Sequence, residues 1–464
     1  MMRHLEGQVC GTSRLTWPLA ATLLFLSLVL GGGQGTLGDA LCQGLATVLI
    51  ALVLWRHATD PAAALPRVAW LAIIPLALPL LQLLPAPDTL WTSSPARTAI
   101  AAQLQVADAQ GPRTLSLVPF ATETSLLWLM PAVALFLAGL QFNAKERARL
   151  AALFVGVALV GMVVGATQLF GGPDSPLYFY AITNPGSTVG FFANRNHFAA
   201  QLVLALPFVL LGTALWWSDR RDQGHGGVLL LAVGAGMAVL LILGLALAKS
   251  RAGLLLGMLA IALSLPALMG LRRKRGTRRV LGVAVAIGVL LGVQFALFGI
   301  LQRFQVDALD DARFQYASIT AQAAAEHTPQ GAGLGAFRRA FEGYDLGSPG
   351  SAYINHAHND YAELWLDGGW LALALGLALG LSFVLGTWRR WRQVATVDGD
   401  VLLGRAASIG LAMLALHSLG DYPLRTTALL ASAGLLAAML CPAARRAARA
   451  DAEKSSFAAT ALTR

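Results

Sequence analysis

Residues 228–248 read VLLLAVGAGMAVLLILGLALA, a run of 21 residues without a charged side chain. A helix of about 20 residues crosses the roughly 30 Å hydrocarbon core of a bilayer. In that medium every backbone N–H and C=O group must be paired within the segment, and a helix achieves this. The stretch therefore predicts a transmembrane helix, and similar apolar runs recur along the chain.

The composition of the whole chain supports this prediction. Of its 464 residues, 56% are hydrophobic and 12% are charged, and the mean hydropathy is +0.63. Because soluble domains carry roughly 25% charged residues, the composition excludes a soluble globular protein. Cys10, Cys42 and Cys441 are too scattered for a disulfide framework or a metal cluster. The net charge of +10 is typical of cytoplasmic loops and does not indicate nucleic-acid binding.

About twelve runs are long and apolar enough to cross a membrane. They are Leu15–Leu37, Ala40–Trp55, Val68–Leu84, Ser125–Leu140, Leu150–Phe170, Phe198–Trp217, Val228–Ala248, Ala252–Leu271, Val280–Leu301, Leu364–Trp388, Val401–Leu419 and Leu424–Leu440. The first run is expected to be a retained helix, since no convincing signal-peptide cleavage site follows it. The sequence predicts an all-α integral membrane protein with about twelve transmembrane helices.

The basic residues predict its orientation. With both termini in the cytoplasm, 24 of the 34 Lys and Arg residues lie on the cytoplasmic side, as the positive-inside rule requires. The expected organisation is a cytoplasmic N-terminus (1–14), transmembrane helices 1–9 (15–301), a large periplasmic loop (302–363), transmembrane helices 10–12 (364–440) and a basic cytoplasmic tail (441–464). Function is expected on the outer side, where the longer loops Pro85–Thr124, Gly171–His197 and Gln302–Glu363 collect. The last of these is long enough to contain short helices of its own.

Few basic residues fall on the predicted outer side, and three of them are candidates for binding an anion. Arg251 lies in a very short connection, Arg313 follows the ninth run, and Arg195 precedes the sixth. Guanidinium groups that face one membrane-level cavity suit a phosphate or diphosphate, because each donates paired hydrogen bonds and keeps its charge. The alternative is that each arginine pairs with an acidic loop residue, such as Asp307, Asp310 or Asp311.

The segment 355–363, NHAHNDYAE, is the densest polar run next to a predicted membrane boundary. His358 is a candidate general base, since histidine titrates near neutral pH and a nearby carboxylate can orient its ring. Supporting residues are expected among His356, Asn359, Asp360 and Glu363. Two alternatives remain open: a metal held by His356 and His358, and a purely structural helix cap.

A second polar segment, 417–425 (HSLGDYPLR), forms a tight predicted hairpin after the eleventh run. Ionisable groups at membrane helix ends are costly and often line a functional cavity. His417 and Asp421 are therefore candidate site residues. The alternative is that these two side chains pair only to fasten two helices together.

Taken together, these motifs resemble the O-antigen ligase and polymerase superfamily of bacterial inner membranes. The resemblance covers roughly residues 120–440. The residues that carry it are Ser250-Arg251-Ala252-Gly253, Arg313 upstream of the segment 329–337 (PQGAGLGAF), Asn194-Arg195-Asn196-His197-Phe198, the His358-Asn359 pair followed by Gly369, and the hairpin from His417 to Pro423. Ala372 stands where the ligase pattern usually has Gly, Thr or Tyr, so the choice between ligase and polymerase stays open.

The resemblance implies a GT-C-like glycosyltransferase with a long, partly helical periplasmic loop between helices 9 and 10. Such an enzyme transfers a glycan from an undecaprenyl diphosphate carrier to a hydroxyl of an acceptor glycan or lipid A core. It implies His358 as the base and Arg251 and Arg313 as diphosphate ligands, and Arg195 is a further candidate. The family uses no nucleotide sugar and its ligases no metal, so no cofactor is expected.

The main alternative function is a polytopic transporter of a small solute or anion. Transporters usually carry ionisable residues near the bilayer midplane and show two related halves. This sequence has almost no charge in the middle of its apolar runs and no apparent repeat, which favours the enzyme. No second pair of carboxylates is evident either, so a single displacement with inversion at the anomeric carbon is expected.

Overall fold

The computed structural model describes residues 2–33, 35, 37–109, 111–222, 228–268, 308–344, 354–393 and 397–444. These residues form helices and connecting turns, and no strand occurs among them. The all-α prediction is confirmed. The predicted ninth run, Val280–Leu301, lies outside the described residues.

Fifteen α-helices occur within the described ranges. They are α1 (Met2–Leu30), α2 (Leu37–Thr59), α3 (Ile73–Gln82), α4 (Asp88–Trp91), α5 (Pro95–Val106), α6 (Pro119–Gln141), α7 (Ala144–Phe170), α8 (Arg195–Asp222), α9 (Val228–Leu247), α10 (Arg251–Ala267), α11 (Ala308–His327), α12 (Phe337–Phe341), α13 (Asp360–Trp391), α14 (Gly399–His417) and α15 (Thr427–Met439). Short 3-10 turns precede α3 (Arg67–Ala72) and α15 (Pro423–Arg425).

Seven helices in the described ranges are long and apolar enough to cross a membrane: α2, α6, α7, α8, α9, α13 and α14. Four shorter apolar helical stretches, of 10–17 residues, accompany them: Leu15–Leu30, Arg67–Gln82, Arg251–Ala267 and Thr427–Met439. Every predicted run except the ninth therefore coincides with an apolar helix. The chain is a multi-pass membrane protein, and the total of twelve crossings stays a prediction.

Small residues let the central helices approach closely. The helix α15 packs against α6, and a Cβ atom at Gly434 would lie 2.1 Å from the carbonyl oxygen of Ala132. Likewise, a Cβ atom at Gly139 would lie 2.7 Å from that of Ala438. In a bilayer, where the hydrophobic effect does not drive helices together, such close backbone packing is a main source of association.

The end of α1 differs from the prediction. The first apolar run extends to Leu37, but α1 ends at Leu30, because the next glycines pair with other parts of the chain. The carbonyl oxygen of Gly31 accepts a hydrogen bond from the backbone N–H of Ala428, and that of Gly32 accepts one from Ala193. This junction ties the start of α15 and the segment before α8 to the same end of the molecule.

The first and third predicted outer loops fold against each other. The backbone N–H of Leu117 donates to the carbonyl oxygen of Ala332 at 2.8 Å. The buried guanidinium of Arg97, on α5, donates to the carbonyl oxygen of Gly331 at 2.7 Å. The described part of the long loop contains two helices, and α11 packs along α13, so α13 and the two loops form one structure at this end of the bundle.

The helix α13 is interrupted at Gly369, whose φ of 58° and ψ of −148° lie in a region that is essentially restricted to glycine. The freed backbone groups are paired with the loop before α12. The N–H of Trp370 donates to the carbonyl oxygen of Pro329, and the carbonyl oxygens of Leu366 and Asp367 accept from the loop. The kink therefore fixes the orientation of the first two turns of α13, which carry the polar residues of the candidate site.

Replacing Gly369 with alanine is expected to destabilise the protein by at least about 1–3 kcal/mol, the usual cost of such a strained backbone. The effect should be larger than strain alone, because the new Cβ atom would lie 2.0 Å from the carbonyl oxygen of Pro329. The measurement is the thermal unfolding midpoint of the purified protein in detergent. The matched control is Gly380→Ala on the same helix, where a Cβ atom meets nothing within 4 Å. Equal midpoints for the two variants would contradict the prediction.

Candidate functional site

The two polar segments identified in the sequence lie against each other at one end of the helical bundle. The N–H of Asp360 donates to the carbonyl oxygen of Ser418 at 3.0 Å. The side-chain amide of Asn359 donates to the carbonyl oxygen of Leu419, also at 3.0 Å. The start of α13 is therefore fastened to the hairpin that joins α14 to α15, and the start of α8 completes the site.

Asp421 lies at the centre of this site and is buried. Its Oδ1 lies 3.6 Å from Nε2 of His197 and 3.8 Å from Nδ1 of His358. Its Oδ2 accepts a hydrogen bond of 2.6 Å from Asn196 and lies 4.0 Å from a guanidinium nitrogen of Arg313. Burial alone would raise the pKa of Asp421, but the polar contact and electrostatic interaction with His197, together with His417 and Arg313, hold it well below its usual range. Asp421 is therefore a carboxylate between two imidazoles and an arginine.

His358 has the geometry of a general base. Its φ is 52°, and this turn directs Nδ1 toward Asp421 while 19% of the side chain stays exposed. Burial lowers the pKa of His358 to about 4, despite the opposing effect of Asp421. The ring is therefore neutral at pH 7. A proton on Nδ1, facing the carboxylate, leaves the lone pair of Nε2 to accept a proton from a substrate.

The three arginines predicted to bind diphosphate come from three different elements. Arg313, on α11, is 30% exposed and holds Asp421 only loosely at 4.0 Å. Arg251 is the exposed first residue of α10, which packs on the first turns of α8. Arg195 begins α8, with its backbone N–H bonded to Asn184. The structure thus brings Arg313 to the site of His358, and places Arg251 and Arg195 on neighbouring helix starts. The alternative pairing of Arg313 with acidic residues 307, 310 or 311 falls outside the described side chains.

A second buried charged cluster supports the first. Arg425 lies 3.5 Å from Asp360, 3.4 Å from Glu363 and 3.1 Å from Asp367. The three acids are spaced along one face of α13, so a single guanidinium can reach them all. Although burial disfavours its charge, these carboxylates raise the pKa of Arg425 above its usual range. Arg425 thereby joins the start of α13 to the hairpin.

His356 and Asn359 belong to this framework. Nδ1 of His356 lies 2.9 Å from Glu363, and its ring lies 4.3 Å from that of Tyr422. Asn359 caps α13, because its side-chain oxygen accepts from the N–H groups of Tyr361 and Ala362. Within the described ranges, no three His, Cys, Asp or Glu residues are grouped to hold a metal.

His417 is buried at the end of α14, and neither ring nitrogen has a hydrogen-bond partner among the described residues. The carboxylate of Asp421 accepts hydrogen bonds from the side chain of Asn196 and from the backbone N–H of Tyr422, and the imidazoles of His197 and His358 lie 3.6 and 3.8 Å from it. No hydrogen bond joins His417 to Asp421 among the described residues, and the fastening of two helices by this pair stays a prediction.

Sequence reasoning missed five polar residues of the site as site members: Asn196, His197, Asp367, Tyr422 and Arg425. Four of them, all except Asp367, lie in the polar segments 194–198 and 417–425, next to residues that the sequence predicted to belong to the site. The available signal was their position in a polar segment at a membrane boundary. Asp367 lacked even that signal, because it lies within the predicted apolar run Leu364–Trp388.

The comparisons with known proteins agree with the motifs. Residues 236–377 match the family model described as O-Antigen ligase, a segment that contains Arg251, Arg313 and His358 but neither His197 nor Asp421. A search of curated proteins gave no match. Over the matched segment, the predicted resemblance to the O-antigen ligase and polymerase superfamily is confirmed. The match supports an O-antigen ligase-type or polymerase-type function in general terms.

Proposed function

We propose that this protein is a glycosyltransferase of the bacterial inner membrane with a periplasmic active site and both termini in the cytoplasm. It transfers a glycan from an undecaprenyl diphosphate carrier to a hydroxyl of an acceptor glycan or lipid A core. One observation supports this proposal most strongly. His358, a neutral imidazole backed by the buried Asp421, lies beside Arg313 within the segment that matches the O-antigen ligase family.

In the proposed reaction, Nε2 of His358 accepts the proton of the acceptor hydroxyl as its oxygen attacks the anomeric carbon. The bond between that carbon and the diphosphate oxygen breaks, and its electron pair leaves with the diphosphate. The Asp421 carboxylate stabilises the imidazolium that forms. Because one base and one nucleophile suffice, the displacement inverts the anomeric configuration.

The leaving diphosphate gains negative charge as the bond breaks. Fixed guanidinium groups stabilise that charge most in the transition state, because they need no reorganisation. Arg313 lies 4.0 Å from Asp421, the carboxylate that also lies 3.8 Å from His358, and we assign Arg251 and Arg195 to the same anion from their positions at neighbouring helix starts. The arginines do this without a metal ion or another cofactor.

Deletion of the gene, followed by gel analysis of lipopolysaccharide and exopolysaccharide, tests the proposal. A ligase predicts loss of glycan-capped lipid A and accumulation of lipid-linked polymer. A polymerase predicts accumulation of single lipid-linked repeats. Unchanged surface glycans and unchanged lipid-linked intermediates, together with a lost solute uptake, would contradict the enzyme and favour the transporter.

A further inference from the structure

His197 occupies an unusual place beside the proposed base. It lies in the first turn of α8, is 2% exposed, and meets the ring of Tyr422 edge-on at 4.9 Å. Its Nε2 lies 3.6 Å from Oδ1 of Asp421, the same oxygen that lies 3.8 Å from Nδ1 of His358. A single carboxylate oxygen thus lies between two imidazoles, and both distances exceed an ordinary hydrogen bond.

The other oxygen of Asp421 is fixed by the neighbouring residue. Asn196 donates its side-chain N–H to Oδ2 at 2.6 Å. Consecutive residues of α8 therefore face both oxygens of one carboxylate: Asn196 hydrogen-bonds Oδ2, and the ring of His197 lies 3.6 Å from Oδ1. The backbone N–H of Tyr422 also donates to Oδ1 at 2.9 Å. Asp421 therefore cannot turn toward His358 without lengthening its contacts with Asn196 and Tyr422, so α8 and the hairpin together determine how closely the carboxylate approaches the base.

We propose that His197 is a positioning residue of this site, which shares Oδ1 of Asp421 with His358 and so keeps the carboxylate from capturing the base as a tight ion pair. The proposal rests on the proposed function. An imidazole bound too strongly to a carboxylate would stay protonated and could not accept the hydroxyl proton. His197 thus preserves the basic form of His358 without touching the substrate.

The electrostatic surroundings of Asp421 agree with this role. The groups that face it come from α8, the segment before α13, α11, α14 and the hairpin: His197, His358, Arg313, His417 and Tyr422. Burial is the main cause of the low pKa of His358, and Asp421 opposes it. Arg313, His356 and His197 lower that pKa further. Removal of His197 should therefore raise the pKa of His358.

The test compares His197→Phe with His197→Gln in the purified full-length protein. Phenylalanine keeps a ring against Tyr422 but loses the N–H, whereas glutamine places an amide N–H near the position of Nε2. The readout is the pH dependence of kcat for release of undecaprenyl diphosphate from lipid-linked glycan. The wild type should lose activity only as the pH falls through about 4, the pKa of His358. The phenylalanine variant should lose activity at a pH about one unit higher than the wild type does. The glutamine variant should lose activity at the same pH as the wild type.

Two results would overturn the inference. The first is a phenylalanine variant whose kcat falls at the same acidic pH as that of the wild type. The second is an equal loss of kcat at every pH in both variants. His57→Phe is the control, since His57 is exposed in the last turn of α2, and its profile should match the wild type. A fully active His358→Ala variant would instead refute the proposed function. The two failures are therefore distinguishable.

Discussion

The His358→Ala variant is expected to lower kcat by about 10²–10⁴-fold, the usual contribution of a positioned general base. Alanine leaves the acceptor hydroxyl without a proton acceptor in front of Asp421, which is too buried to replace the imidazole. The side chain is partly exposed, so its loss should leave folding unaffected. The measurement is the initial rate of undecaprenyl diphosphate release, with glycolipids extracted from the deletion strain as acceptor.

The control for this prediction is His57→Ala, which removes an exposed imidazole from the end of α2 and should retain wild-type activity. Asp421→Asn gives an intermediate test, because an amide keeps the shape of the carboxylate but cannot stabilise an imidazolium. Its kcat should fall, with the base still present, by less than in His358→Ala. Retention of half or more of the wild-type rate by His358→Ala would remove His358 from the mechanism.

The helices were predictable because the bilayer imposes one length and one composition on every crossing segment. The end of α1 was not, because it depends on hydrogen bonds from Ala428 and Ala193 to glycine carbonyls. Those partners are remote in sequence, and no local pattern reports them. The kink at Gly369 was hidden for the same reason: a glycine inside an apolar run looks like any other until the loop around Pro329 packs against it.

The polar segments of the site were also predictable, since ionisable residues at a membrane boundary are costly and rarely incidental. Their pairing was not. Asp421 could be chosen from its hairpin, but its contact with Asn196 joins residues 225 positions apart. Arg425 and Asp367 are 58 positions apart. Contacts between residues so far apart in sequence follow no local spacing pattern, so the roles of His197 and Arg425 become apparent only from the fold.

Replacing Arg425 with methionine is expected to prevent stable folding. The substitution leaves Asp360, Glu363 and Asp367 buried on one face of α13 without their shared cation. Removal of one partner from a buried ion pair typically costs about 3–5 kcal/mol, and here three carboxylates lose theirs. The measurement is the yield of monodisperse protein after detergent extraction, together with its thermal midpoint.

The control for Arg425 is Arg339→Met, which breaks a 3.4 Å ion pair with Glu342 whose side chains are 69% and 54% exposed. Exposed pairs contribute about 0–1 kcal/mol, so this variant should fold normally. If unpaired charge is the cause, adding Asp367→Asn to Arg425→Met should recover part of the yield, because it removes the carboxylate closest to the lost guanidinium. Wild-type yield and midpoint in Arg425→Met alone would contradict the prediction. No recovery in the double variant would show instead that the packing of the arginine side chain, and not its charge, holds α13 to the hairpin.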